Sequence, residues 1–143
     1  MVEFVLHDAF IATSHAIADL PLCHARLHAD ARYPWIVLIP RLPGLTEVED
    51  LCPADRARLV EEGVLAGRAV RAVGEVLGLP VTKLNLGALG NVTSQLHLHV
   101  VGRRIGDPAW PGPVWGHSDG EPFDAVDLVR AVEAARAILH PPL

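Results

Sequence analysis

The chain is poor in most features that would send it out of the cell, into a bilayer or onto a nucleic acid. It has 2 cysteines in 143 residues, Cys23 and Cys52, in unlike contexts and with no C-x-x-C pair. A single disulfide is open to them, but two reduced thiols in a cytoplasmic protein is the simpler reading. No basic stretch leads into a long apolar one at the N-terminus, so no signal peptide is expected. The longest strongly apolar run, Pro34–Pro40 (PWIVLIP), is far short of the ~20 residues a membrane helix needs. Positive charge is also scarce. Lys and Arg number 12 against 17 Asp and Glu, for a net charge of −5 and a pI near 5.8. A general DNA or RNA binder would carry the opposite balance. Any anion site must therefore be local, built from backbone N–H groups and a few side chains. There is no internal repeat, low-complexity tract or linker.

What remains is a greasy chain of one domain's length, taken as a single domain over residues 1–143. Half its residues are apolar and its mean hydropathy is +0.29, which is ample for a core. Residues 8–17 fit a short helix. Residues 22–28 and 34–39 fit strands, the second β-branched, aromatic and bracketed by Pro34 and Pro40. Pro53 suits a first helical position. From there Leu59, Val60, Val64, Leu65, Ala69, Val73, Val76 and Leu77 recur at helical spacing up to Gly78, which predicts a long helix over 53–77. Its charges, Glu62 among them, are expected on the solvent side. Strands are predicted at 81–86 and 95–103, joined by a loop with Gly87 and Gly90. Residues 106–122 hold four prolines and four glycines, so they are read as irregular. A helix over 124–139 closes the chain. One long helix among clustered strands favours an α+β fold with an antiparallel sheet over a doubly wound parallel one.

The segment Gln95-Leu96-His97-Leu98-His99-Val100-Val101 carries chemistry. In a strand, Leu96, Leu98 and Val100 face a core, and Gln95, His97 and His99 line up on the other side, ~7 Å apart. An imidazole with a pKa near ~6.5 is a competent nucleophile around neutrality. With one ring nitrogen held by a hydrogen bond, the other can attack phosphorus and form a phosphohistidine that water opens. Phosphoryl chemistry asks mostly for positioning and charge stabilisation. The loop Asn85–Asn91 can supply both through its glycines and its amides. Two other readings stand beside this one. A strand with two exposed histidines also arises without function. Alternate histidines also suit zinc, with His28, Asp107, His117 or the cysteines as further ligands, though none lies at a diagnostic spacing.

The same residues resemble the signature of the histidine triad (HIT) family, His-φ-His-φ-His-φ-φ with φ apolar. Upstream Asn85 and the glycine loop, the stretch Ile36–Arg41 with Pro43-Gly44, and the helix 53–77 extend the likeness. The tail Asp107–Gly116 resembles a bacterial diadenosine-tetraphosphate-hydrolase-like branch. The likeness covers roughly residues 15–120. It implies a HIT-like α+β fold, with an antiparallel sheet of about five strands, one long central helix and a C-terminal helix, paired as a homodimer. It also implies hydrolysis or nucleotidyl transfer at the α-phosphate of a nucleotide polyphosphate, such as a dinucleoside polyphosphate. No metal, cofactor, nucleic-acid polymer or membrane is implied. By position the nucleophile falls on His97 and the supporting third histidine on His99. Asn85, Gly90 and Asn91 fall in the nucleotide and phosphate pocket. The family's first histidine is Gln95 here. An amide cannot shuttle a proton near pH 7, and general acid help is worth ~10²–10⁴-fold. Good leaving groups suffer least from its loss, which favours polyphosphates and keeps open a silent nucleotide-binding module. Lys83, Arg103 and Arg104 are read either as site charges or as solvated surface. His28 is placed at the pocket border and Asp30 either at a ribose or as a turn former. Trp110 and Trp115 are read as a cover for the site or subunit seam, or as anchors of their loop.

Overall fold

The computed structural model describes residues 2–140. In chain order they form α1 (Asp8–Thr13), β1 (Ser14–Asp19), β2 (Cys23–His28), β3 (Trp35–Pro40), a 3-10 turn (Val48–Asp50), α2 (Pro53–Leu77), β4 (Lys83–Gly87), β5 (Leu98–Arg103) and α3 (Ala125–Leu139). The five strands make one sheet in the order β1-β2-β3-β5-β4, with every neighbouring pair antiparallel. This is the expected α+β architecture with its long central and C-terminal helices.

α2 starts and stops where its punctuation says. Pro53 occupies the first turn, and Gly78 ends the helix at φ 69°, a left-handed conformation that an L side chain resists. Leu59, Ala66, Val70 and Val73 on α2 pack with Ala131 and Ala135 of α3 against Ala25, Leu27, Ile36, Leu38 and Val100 of the sheet. Gly102 is required there. A Cβ on it would lie 2.6 Å from Val81 and 2.7 Å from Val70, so the sheet approaches α2 only because that atom is missing. The opposite face carries a second cluster of Phe10, Tyr33, Trp35, Val37, Ile39, Val101, Ala109 and Val114. Strand β3 is buried along its whole length because both faces are covered.

Four expectations need correction. The helix proposed for 8–17 ends at Thr13, and Ser14–Asp19 is a strand. Its helical look comes from small residues, and pairing with β2, bulged between Ala16 and Ala18, overrides it. The strand proposed for 95–103 begins only at Leu98, because Leu96 donates its amide to Leu45 O before the ladder starts. Glu62 is buried rather than solvated. Its carboxylate accepts from the amides of Leu22 (2.9 Å) and Cys23 (2.8 Å) and so ties the β1–β2 turn to α2. Arg103 is 1% exposed, so it is not a surface charge. Its guanidinium grips both oxygens of Asp107 (2.7 and 2.9 Å), Asn85 Oδ1 and Gly112 O, which pins the irregular 106–122 segment to the sheet. Lys83 is exposed, and Arg104 is half-buried with a bond to Arg32 O. Cys23 and Cys52 are free thiols, the first buried and the second exposed. No helix among the described residues is long and apolar enough to cross a membrane.

Candidate active site

On the sheet face opposite α2 and α3, the end of β5 meets three other segments around a cavity of about 460 Å³. α1 supplies Ala9, Phe10 and Thr13, and β2 and β3 supply His28, Trp35 and Val37. The loop 89–93 and the segment around Val114–Gly120 complete the wall. His97 and His99 both line it. Their rings stand edge to face, 4.8 Å between centroids, closer than the strand repeat alone would place them. A smaller recess of about 170 Å³, edged by Thr46, Glu47, Glu49 and Gly90, also opens on His97.

Hydrogen bonding fixes the two rings in opposite tautomers. His97 Nδ1 lies 2.7 Å from Gln95 O. A carbonyl only accepts, so Nδ1 carries the proton and Nε2 presents a lone pair. Trp35 Nε1–H donates to His99 Nδ1 at 3.0 Å. An indole only donates, so Nδ1 accepts and the neutral His99 carries its proton on Nε2. Burial first, then the neighbouring His97 and His28, push the His99 pKa down to about 3, so the ring is neutral at physiological pH. Burial also lowers His97, against the partial opposition of its bond to Gln95 O. His28, stacked on Trp35 at 3.9 Å, is driven down to about 4 by burial, with Asp30 pulling the other way. The site is thus a set of uncharged imidazoles framed by Phe10, Trp35 and Trp115.

No Lys or Arg among the described residues lines either cavity. Negative charge on a ligand would be met by dipoles. Among the described residues, the amides of Gly90, Asn91, Val92 and Thr93 have no protein acceptor. Gly90 sits at φ 68°, a turn that an L residue resists. Its conformation gives this loop its shape at the cavity mouth.

Of the six residues singled out in sequence, His97, His99, Gly90 and Asn91 share the cavity. Gln95 does not join the row. Its side chain turns to the N-terminal segment, accepting from His7 N and donating to Val5 O. Asn85 is held by Arg103, outside the cavity. His28 and Trp115 do border the cavity, whereas Trp110 lies by the Arg103 guanidinium, 5.6 Å from the ring centroid. Asp30 reaches the cavity edge, but its oxygens accept from the Arg32 side chain and the amides of Arg32 and Glu121, which is turn and loop fastening. Sequence reasoning missed Phe10 and Trp35. The signal for Trp35 was its place two residues from Val37, which pairs with His99 in the sheet. No group of three His, Cys, Asp or Glu among the described residues is placed to hold a metal.

Residues 10–106, which include both histidines and the cavity loop, match the HIT domain. The chain belongs to the HIT domain family. Proteins of this histidine triad family bind nucleotides and are typically nucleotide hydrolases or transferases. A histidine triad protein from Sinorhizobium meliloti is 37% identical over 95% of this chain and 97% of its own, with a TM-score of 0.87. Histidine triad proteins from Bradyrhizobium japonicum and Marinobacter aquaeolei are 38% and 34% identical. Each covers 96% of this chain, with 99% and 97% of their own lengths matched and a TM-score of 0.86 in both cases. No curated protein is similar enough to match. Within the matched residues the run Gln95-Leu96-His97-Leu98-His99 carries one amide and two imidazoles at alternate positions.

Proposed function

We propose that this HIT domain is a nucleotide hydrolase or nucleotidyl transferase that works at an α-phosphate through a covalent adduct on His97. The observation that carries the reading is the bond from His97 Nδ1 to Gln95 O, which leaves Nε2 free at the cavity wall. In the first step the Nε2 lone pair forms a bond to phosphorus and the leaving group departs with the electrons of its P–O bond. In the second step a water oxygen, or a hydroxyl acceptor, forms a new P–O bond. The P–N bond then breaks, its electrons return to Nε2, and the acceptor's proton passes to solvent. His99 Nε2–H and the amides of Gly90–Thr93 serve the non-bridging oxygens, and Asn91 lies beside them. The aromatic walls suit a nucleoside. Asn85 acts at one remove, through Arg103.

Because the Gln95 amide is engaged by Val5 and His7, the leaving group departs without an acid at that position. That favours one that is stable as an anion. The substrate class is then a nucleotide polyphosphate, such as a dinucleoside polyphosphate, in keeping with the diadenosine-tetraphosphate-hydrolase-like branch. The chain is further read as a cytoplasmic homodimer. Its edge strand β4 exposes Leu86, which reaches α2 at Gly63, and α2 exposes Val60 and Val64 on either side of that glycine, while its thiols are free. The test is incubation with diadenosine tetraphosphate, with mass detection of protein and products. A mononucleotide product and an adenylyl adduct, both lost in His97→Asn, are expected. Nucleotide binding with no adduct and no turnover, unaltered by His97→Asn, would overturn the enzymatic reading in favour of a silent binding module.

A further inference from the structure

Position 95 stands where the triad signature has its first histidine, yet its side chain performs a different task. Gln95 Oε1 accepts from His7 N–H at 2.9 Å and Nε2 donates to Val5 O, also at 2.9 Å. These are alternate residues of an extended segment, engaged by one acceptor and one donor that project side by side from a planar amide. The carboxamide thus acts as a single rung of a β ladder. The two nitrogens of an imidazole diverge and cannot repeat that grip. The fastened segment leads directly into α1. His7 Nδ1 caps that helix by accepting from Ala9 N–H at 3.0 Å. Ala9, Phe10 and Thr13 then wall the cavity, and the Phe10 ring meets His97 edge to face at 4.8 Å. Phe4 and Leu6 pack half-buried against the second cluster, and the Gln95 carboxamide supplies the polar fastening between them. Val2 and Val5 are largely exposed. A recess edged by Val5, Leu6, Gly44, Leu45, Thr46 and Ser94 also separates the segment from the neighbouring loop.

We infer that Gln95 is a positioning residue that straps residues 5–13 across the nucleotide cavity, so that it serves substrate binding rather than proton transfer. The kinetic half of this inference rests on the proposed reaction at His97, whereas the structural half does not. The backbone carbonyl of the same residue orients the His97 ring. One residue therefore couples the strap, through its side chain, to the nucleophile, through its main chain. Replacing the side chain loosens the first and leaves the second in place.

The test uses the full chain and the variants Gln95→Ala, Gln95→Glu and Gln95→His. Amide hydrogen exchange of the free protein is read first. Exchange over residues 5–10 is expected to speed up about tenfold in all three variants, as two ordinary hydrogen bonds are lost or weakened. The amides of β3 and β5 keep their protection. With diadenosine tetraphosphate, KM rises about three- to thirtyfold. The kcat falls by less than KM rises, and the acid limb of the pH profile stays where it was. If no turnover exists, exchange alone decides the strap, and the dissociation constant for adenosine monophosphate replaces KM. Unchanged exchange over residues 5–10 overturns the inference. So does a loss confined to kcat with a displaced pH limb, or a gain of kcat in Gln95→His at unchanged exchange.

Discussion

Asp107→Ala is the perturbation whose size the structure sets most directly. Arg103 and Asp107 are both buried, and their side chains meet through two bonds of 2.7 and 2.9 Å. Burial alone would raise the Asp107 carboxyl, but the Arg103 bonds, the Arg104 amide and the Arg103 charge outweigh it and hold the group below the usual carboxylate range. Removing the carboxylate leaves a guanidinium with only neutral partners, Asn85 Oδ1 and Gly112 O, each at 2.8 Å. A buried charge stripped of its partner costs about 3–5 kcal/mol. At ~3–5 °C per kcal/mol for a chain of this size, the melting temperature falls by about 10–20 °C. The double variant Arg103→Met/Asp107→Leu removes both charges and is expected to lose far less, because desolvation of the pair offsets much of its attraction. Thermal and urea unfolding at pH 7, followed by circular dichroism, measure both proteins. A single variant that loses under about 1 kcal/mol, or a double variant less stable than the single, would refute this account.

Three further outcomes follow from the same geometry. Trp35→Phe removes the one donor that the described residues place at His99 Nδ1, so ¹⁵N chemical shifts of His99 should report mixed tautomers and kcat for the proposed reaction should fall about tenfold, the worth of one hydrogen bond. A single Nε2–H tautomer persisting in the variant would contradict the assignment. Glu62→Ala leaves the Leu22 and Cys23 amides without acceptors and should cost about 2–4 kcal/mol by urea unfolding, with no effect on formation of the proposed His97 adduct. Stability should fall as pH drops below ~6.5. His28 and His99 resist protonation in the fold, down to about 4 and about 3, whereas the unfolded chain takes up those protons. The unfolded state then binds more protons, so stability rises with pH across that window. Asp30 and Asp107, held low in the fold, extend the loss as pH falls toward and through their depressed pKa values. A melting temperature flat between pH 7 and 4 would contradict this.

Features written into local sequence were legible. Pro53, Gly78 and the apolar spacing between them delimit α2. The β-branched run after Pro34 is β3, and alternation in 96–100 sends Leu96 and Val100 to the core and His97 and His99 to the cavity. Features that depend on partners far along the chain were not. Ser14–Asp19 becomes a strand only beside β2. Glu62 reads as solvated until the β1–β2 turn arrives 40 residues earlier to use its oxygens. The Arg103–Asp107 pair sits four residues apart and still looks like surface charge, because nothing local says that Tyr33 and Trp110 close over it. Gln95 stood out in sequence as the amide in a row with two histidines. Its task did not, since its partners lie about 90 residues away.

Strand β3 has no solvent side. Ile36 and Leu38 belong to the helix-packed interior, and Trp35 and Val37 belong to the chemical chamber, with a single backbone between them. A methyl group gained or lost beneath the sheet is therefore transmitted across less than the thickness of one ribbon to the imidazole that Trp35 holds. Evolutionary drift in the interior of this domain is for that reason also a means of retuning the chamber on its far side.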